Sequence, residues 1–317
     1  MNKKILLICP KFFGYEYKIK EELVRQGNYV DYIDERPSNS LLYKLILRIG
    51  GAGLSNYNFR YYKKNIRNME EQYDFVFYIN IEALDFRTIN LLKSNFPNAK
   101  HILYMWDSSI NKPKYIDLIS LFDAVYSFDL KDSTDNNKIE YMPLFSCMKK
   151  SAENNKDYMF SFVGTVHSNR FNILMDIKRI ASDKGEETYF YLYYPSRILW
   201  YLRCLFDHSL KLSDYNKVKF KSLDYIDVEN IIKKSHYVID INHEQQTGFT
   251  MRSFEVLCSG SKLLSTNKAL LNSVFHRDGM VHYLNPKEIK LPNKYNVINL
   301  PEYSDYYLGS WLRKILK

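Results

Sequence analysis

The stretch DINHEQQTGFTMRSFEVLCSGSKLLSTN, Asp240 to Asn267, gathers residue types that handle phosphates and sugar hydroxyls. An apolar run ending at Ile241 predicts a strand, and the polar loop Asn242–Thr250 precedes a helix that starts near Met251. Gly260 closes that helix, and Lys262–Ser265 predicts the next strand. Ligands of parallel α/β sheets bind outside the carboxyl ends of the strands, so the loop is expected to face a cleft. The first backbone amides of the helix, Met251 to Phe254, have no partner within it and attract anions, with Arg252 as a second cation. Glu255, one turn in, has the geometry to accept ribose hydroxyls. His243, Gln246, Thr247, Gly248 and Thr250 complete the candidate ligand-binding set from this stretch. The plainer reading makes Thr250 a helix cap and Glu255 a solvated surface acid.

A second constellation follows the strand ILYM, in WDS. Asp107 stands at a carboxyl edge, where a carboxylate can act as a general base on a substrate hydroxyl at about 3 Å. Trp106 beside it can stack on a sugar face. Glu82 and Asp85, after the strand Phe75–Ile79, compete for the same role, and Asp107 can equally cap the following turn. A metal is not expected: the His243–Glu244 pair lacks the HExxH spacing, and no DxD ends a strand.

These groups need elements to position them. Strands at Lys4–Cys9, Tyr29–Ile33, Phe75–Ile79, His101–Met105, Ala124–Phe128 and Ile139–Met142 alternate with helices near Tyr17–Gln26, 86–95 and 113–121. That alternation predicts a parallel sheet covered on both faces. The polar segment SAENNKDY, Ser151–Tyr158, reads as a boundary. Beyond it a second α/β pattern runs through Met159–Val163, a helix from Arg170, and strands at Thr188–Tyr193, Lys219–Phe220, Tyr237–Ile241 and Lys262–Ser265. The expected domains are 1–150, 151–300 and a returning tail helix, 301–317. No GxGxxG follows the first strand, and no YxxxK pair is suitably placed, which argues against a dinucleotide-dependent epimerase or dehydrogenase.

The run TMRSFEVLCSGSKLLSTN resembles the C-terminal donor-binding segment of GT-B glycosyltransferases, especially the bacterial capsule, O-antigen and CgeB-like type. Arg252 matches the family's basic residue, Glu255 its ribose-binding glutamate and Gly260 its helix-ending glycine. FSFVGTVHSNR resembles the family's phosphate-facing glycine loop and thereby places Gly164, His167 and Arg170 near a donor diphosphate. The resemblance implies an α/β GT-B fold, two Rossmann-like parallel-sheet domains facing a central cleft. It also implies metal-independent transfer from a nucleotide sugar (a UDP- or GDP-sugar or similar) to a lipid-linked or growing surface polysaccharide. One departure stands out: Thr247 occupies the place of the first of the paired glutamates found in many retaining members, and the nearest upstream acid is Glu244. A non-catalytic polysaccharide-binding protein of the same fold is the alternative.

The chain's 317 residues carry 45 basic and 36 acidic side chains, a formal charge of +9. This excess suits a phosphate-rich substrate or an anionic membrane. No zinc-finger spacing, RNP run or helix-turn-helix signal points to nucleic acid. Two basic, apolar stretches, Ser40–Gly50 continuing to Arg67 and Ser196–Leu212, read either as helices lying on a membrane surface or as helices packed on a sheet with a solvated basic edge. Cys9, Cys147, Cys204 and Cys258 are widely spaced, as expected of buried thiols in a reducing compartment. The apolar run Ile5–Cys9 is too short for a signal-peptide core, so a cytoplasmic protein, with possible attachment to the inner face of the cell membrane, is expected.

Overall fold

The computed structural model describes residues 2–48, 50–51, 53–67, 69, 72–150, 155–166, 169–206, 211–242, 248–295 and 300–317. The chain divides into two compact units, Met1–Leu144 with Leu308–Lys317, and Phe145–Tyr307.

The first unit runs β1 (Lys4–Cys9), α1 (Tyr15–Arg25), β2 (Tyr29–Asp34), α2 (Leu41–Arg48), α3 (Ser55–Ile66), β3 (Phe75–Ile79), α4 (Phe86–Asn95), β4 (Lys100–Met105), a 3-10 segment (Pro113–Leu121), β5 (Ala124–Ser127), α5 (Leu130–Asp135) and β6 (Glu140–Tyr141). Its sheet is parallel in the order β2-β1-β3-β4-β5-β6. KILLIC, FVFYI and HILYM are nearly continuous apolar runs because helices cover both faces of such a sheet; β3 is wholly buried, as are β1 and β4 after their first lysines. Residues 113–121, expected as an α-helix, form the tighter 3-10 coil. Asp85 caps α4 by accepting from the Thr88 amide at 2.8 Å.

The second unit runs β7 (Tyr158–Thr165), α6 (Arg170–Asp183), β8 (Thr188–Tyr193), α7 (Arg197–Phe206), a 3-10 segment (Leu212–Lys217), β9 (Val218–Lys219), α8 (Tyr225–Lys233), β10 (Ser235–Asp240), α9 (Met251–Ser259), β11 (Lys262–Ser265), α10 (Val274–Arg277) and β12 (Val281–Tyr283). Its parallel sheet has the order β12-β11-β10-β7-β8-β9. Numbered from its own first strand this is 6-5-4-1-2-3, the Rossmann order, and it reverses direction between β7 and β10. The opening of this unit is tied to its end: Lys150 Nζ donates to the Leu300 carbonyl at 2.6 Å and the Lys150 amide to the Tyr307 hydroxyl at 3.1 Å. After Tyr307 the chain forms α11 (Leu308–Ile315), whose Leu308, Trp311, Leu312 and Ile315 are buried in the first unit.

β10 also carries a buried liability. Neither ring nitrogen of His236 has a hydrogen-bond partner among the described residues. Burial, reinforced by the charges of Lys294 and Lys156, pushes its pKa down to about 4. Between pH 6.5 and 4 the unfolded chain therefore binds a proton that the folded chain does not, and stability falls as pH falls through that window. His101 and His282, also depressed by burial, act in the same direction. His236→Phe is expected to flatten this limb of a urea-unfolding series taken from pH 7 to pH 4. An unchanged slope would trace the acid sensitivity to another group.

Candidate functional site

A strand-order reversal such as that between β7 and β10 opens a crevice at the carboxyl ends of the two neighbouring strands, and Arg170, Arg252 and Asp240 of the second unit meet at those ends. Gly164 is the penultimate residue of β7. A β-carbon at this position would lie 3.0 Å from Arg252 Nη2 and 3.1 Å from Phe162 Cζ, so the bare glycine is what lets the guanidinium lie against the strand. Arg252 comes from the first turn of α9. Its Nη1 is 3.7 Å from Asp240 Oδ1 at the end of β10, and its side chain retains 29% exposure. Its guanidinium carbon sits 5.5 Å from the centre of the Phe162 ring.

Asp240 organises the start of α9. Its Oδ2 accepts from Thr250 Oγ1 at 2.9 Å and from Ser253 Oγ at 3.3 Å. Thr250 and Ser253 in turn form a reciprocal capping box, Ser253 N to Thr250 Oγ1 at 3.1 Å and Thr250 N to Ser253 Oγ at 3.3 Å. The amides of Ser253 and Phe254 are thus taken by Thr250. Of the four expected to face an anion, those of Met251 and Arg252 are the ones the helix start still offers.

Arg170, first residue of α6, donates through Nη1 to the Thr165 carbonyl at 3.0 Å and through Nη2 to the Ile241 carbonyl. It stitches together the carboxyl ends of β7 and β10. Burial, then the charge of Arg252, lowers its pKa from the usual guanidinium value, while Asp240 works the other way. Two guanidinium groups against one carboxylate leave this crevice positive among the described residues, which favours an anion there.

Glu255 is buried on α9, and its Oε1 accepts from the Tyr225 hydroxyl at 3.0 Å, at the start of α8. Burial and the neighbouring Glu255 charge push the Tyr225 phenol well up. A carboxylate has about four lone-pair sites, so this bond does not exhaust its accepting capacity. The Gly248 carbonyl accepts from Asn267 Nδ2 at 3.2 Å, fixing the end of the polar loop to the turn after β11. His167, His243, Gln246 and Thr247 lie outside the described residues. The structure thus brings Gly164, Arg170 and Arg252 together around Asp240 and Phe162, with Thr250 joined to the same carboxylate.

In the first unit, Asp107 follows β4 and Glu82 follows β3. Lys112 Nζ lies 3.2 Å from Glu82 Oε2 and 3.8 Å from Asp107 Oδ2. Asn80, in the left-handed region at φ 52°, donates to Asp107 Oδ2 at 3.1 Å. The buried Glu35 accepts from the Glu82 amide at 2.6 Å and from the Ala83 amide at 2.5 Å. Burial raises its pKa, against the lowering effect of those amides and of the Lys112 and Arg36 charges. Asp85 is engaged elsewhere, as the α4 cap and as a partner of Ser55. Phe12 packs 5.9 Å from Trp106, ring centre to ring centre, and Phe12 and Phe13 are exposed beside it. This is an aromatic surface next to Asp107.

Sequence reasoning passed over Asp240, Phe162, Tyr225, Glu35, Asn80 and Lys112 as site residues. An acid ending the apolar run HYVID was a readable signal for Asp240. Lys112 and Tyr225 carry no local signal, because their partners are distant in sequence. Among the described residues, no group of three or more His, Cys, Asp or Glu side chains is arranged to hold a metal ion.

No family model matches this chain, and no curated protein matches it. Solved structures do. The chain is similar to Alr3699/HepE of Anabaena, determined in complex with UDP-glucose, with a TM-score of 0.51 and 13% identity over 89% of this chain and 86% of that one. It is also similar to the glycosylation associate protein (Gap123) complex from Streptococcus agalactiae, with a TM-score of 0.47 and 13% identity over 83% of this chain. It spans 54% of that chain's length. The likeness to HepE shows the fold: an α/β chain of two Rossmann-like domains, as in the GT-B class.

Proposed function

We propose that the chain is a glycosyltransferase that binds a nucleoside-diphosphate sugar at the carboxyl ends of β7 and β10. The observation that carries this reading is the Arg252 guanidinium held against Gly164, beside the opening amides of α9, in a positive crevice at the strand-order reversal of a Rossmann sheet. A diphosphate matches that arrangement in charge and in its demand for forked donors. Glu255, oriented by Tyr225, accepts the ribose hydroxyls. The likeness to a fold solved with UDP-glucose supports the same class of donor.

A sugar on a diphosphate already has a good leaving group, so catalysis consists of stabilising the charge that develops on the departing phosphate and orienting the acceptor hydroxyl. Arg252 and the helix start serve the first need. Asp107 serves the second as general base, with Glu82 held beside it through Lys112. Transfer proceeds without a metal ion, and the acceptor is a lipid-linked or growing surface polysaccharide of the capsule or O-antigen kind, reached at a membrane surface.

The test is a nucleotide-sugar panel, scored for binding and for donor hydrolysis with the parent protein and with Glu255→Ala. One donor should bind saturably, and Glu255→Ala should weaken it about tenfold or more, as expected for loss of charge-assisted hydrogen bonds worth about 1.5–3 kcal/mol. Failure of every donor to bind, with saccharides still retained, would replace the transferase reading with a polysaccharide-binding one.

A further inference from the structure

Helix α2 is apolar on both sides, although among the described residues one side is largely exposed. Its Tyr43 and Leu47 are buried with Ala83, and Leu54 packs against them. That inner contact is complete: the Tyr43 hydroxyl donates to Asn58 Oδ1 at 2.7 Å, and Asn58 Nδ2 donates to the Ala83 carbonyl at 2.9 Å. On the other side Leu41 is 75% exposed, Leu42 69% and Leu45 47%. Helix α3 follows, burying Asn58, Tyr62 and Ile66 while exposing Tyr57, Arg60, Lys63 and Lys64. From Pro37 to Met69 the sequence has Lys44, Arg48, Arg60, Lys63, Lys64 and Arg67 and no acidic residue at all.

The second unit repeats this combination on α7. Trp200 anchors the helix in the core, whereas Ile198 (73%), Leu199, Leu202 and Leu205 (70%) are exposed, flanked by exposed Arg197 and Arg203. From Thr188 to Phe206 there is again no acidic residue. No helix of the described residues is long and apolar enough to cross a membrane.

We propose that the outer surface of α2 and α3 docks the protein on an anionic lipid bilayer, with α7 as a second contact of the same make. Bulky leucines enter the boundary between headgroups and acyl chains, and cations at their margin meet lipid phosphates. Charge selects this occupant over others. A second copy of the chain would bring the six like charges of this segment against the same six across a symmetric interface, with no acid in the segment itself to offset them. A nucleic acid would leave the leucines in water. The proposal extends the functional reading by naming the surface that would meet a lipid-linked acceptor. Its readout is vesicle binding, not turnover, so the two can fail separately.

The experiment is co-sedimentation of the full chain with vesicles of phosphatidylcholine alone and of equal parts phosphatidylcholine and phosphatidylglycerol. The parent should bind the anionic vesicles and be released as salt is raised. Joint replacement Leu41→Ser, Leu42→Ser and Leu45→Ser should weaken binding at least tenfold. Joint replacement Lys63→Ser and Lys64→Ser should weaken it roughly fivefold for each cation, the equivalent of about 1 kcal/mol apiece. Because all five side chains lie outside the core, unchanged thermal unfolding should accompany both effects. Ile198→Ser with Leu205→Ser reads the α7 contact in the same way. Equal binding to both vesicle types, no binding at low salt, or leucine variants that bind like the parent would overturn the proposal. So would a dimer dissolved by the leucine variant, which would assign the surface to a second copy of the chain.

Discussion

Arg252→Met is expected to weaken nucleoside-diphosphate binding by about 10- to 150-fold while leaving the second domain folded. The range corresponds to about 1.5–3 kcal/mol for charge-assisted hydrogen bonds. The domain should survive because Asp240, the buried carboxylate that loses its cation, keeps the hydroxyls of Thr250 and Ser253 as donors. Arg252→Lys should fall between parent and Met, since an ammonium retains the charge but not the forked donors. Gly164→Ala should resemble Arg252→Met in direction: its new β-carbon would stand 3.0 Å from Nη2 and displace the guanidinium without removing it. Isothermal titration with UDP and GDP, alongside thermal unfolding, checks all three. Parent-like affinity in Arg252→Met with an intact fold would place the phosphates elsewhere.

Trp311→Ala should be the most damaging single substitution outside the site, destabilising the first domain by about 3–5 kcal/mol. The indole is buried, 4.7 Å from the Tyr104 ring and 6.2 Å from the Phe77 ring, centre to centre, and its Nε1 donates to the Pro143 carbonyl at 3.0 Å. Truncation would leave a cavity against β3 and β4 and take one of two donors from the Pro143 carbonyl, which keeps the Tyr104 hydroxyl at 3.3 Å. Gln26 Nε2, donating to the Gly309 carbonyl at 3.0 Å, would be a remaining tie between α11 and the rest of the first unit. Hydrogen exchange locates the damage: amides of β3 and β4 should lose protection, and those of β7 and β10 should keep it. Equal loss in β10 would mean that the two units unfold as one.

Local sequence was enough to set most of the elements and their class, although the helices α5, α8 and α10 were not read from it. Runs such as KILLIC, FVFYI and HILYM are short and rich in β-branched and aromatic residues, which reads as strands buried on both faces, and strands of that kind alternating with helices predict parallel sheets. Thr250 before an apolar-periodic run and Gly260 after it marked both ends of α9, because a hydroxyl cap and a left-handed closing residue (φ 84°) are local requirements. The three-residue edge strand β12 was illegible, being too short to show a period.

Strand order was a matter for the tertiary structure, and the site depends on it. Arg170 meets the Ile241 carbonyl across 71 residues, and Gly164 meets Arg252 only because β7 and β10 are neighbours in the sheet. Likewise Glu35 reaches the Glu82 loop, and Lys112 reaches both Glu82 and Asp107, through contacts that no spacing encodes. The tail's composition predicted a helix, but its place depended on where the first sheet offered Tyr104, Phe77 and the Pro143 carbonyl to a single indole. Propensity and capping act within a few residues of chain, whereas a guanidinium's partners are set by which strands lie side by side.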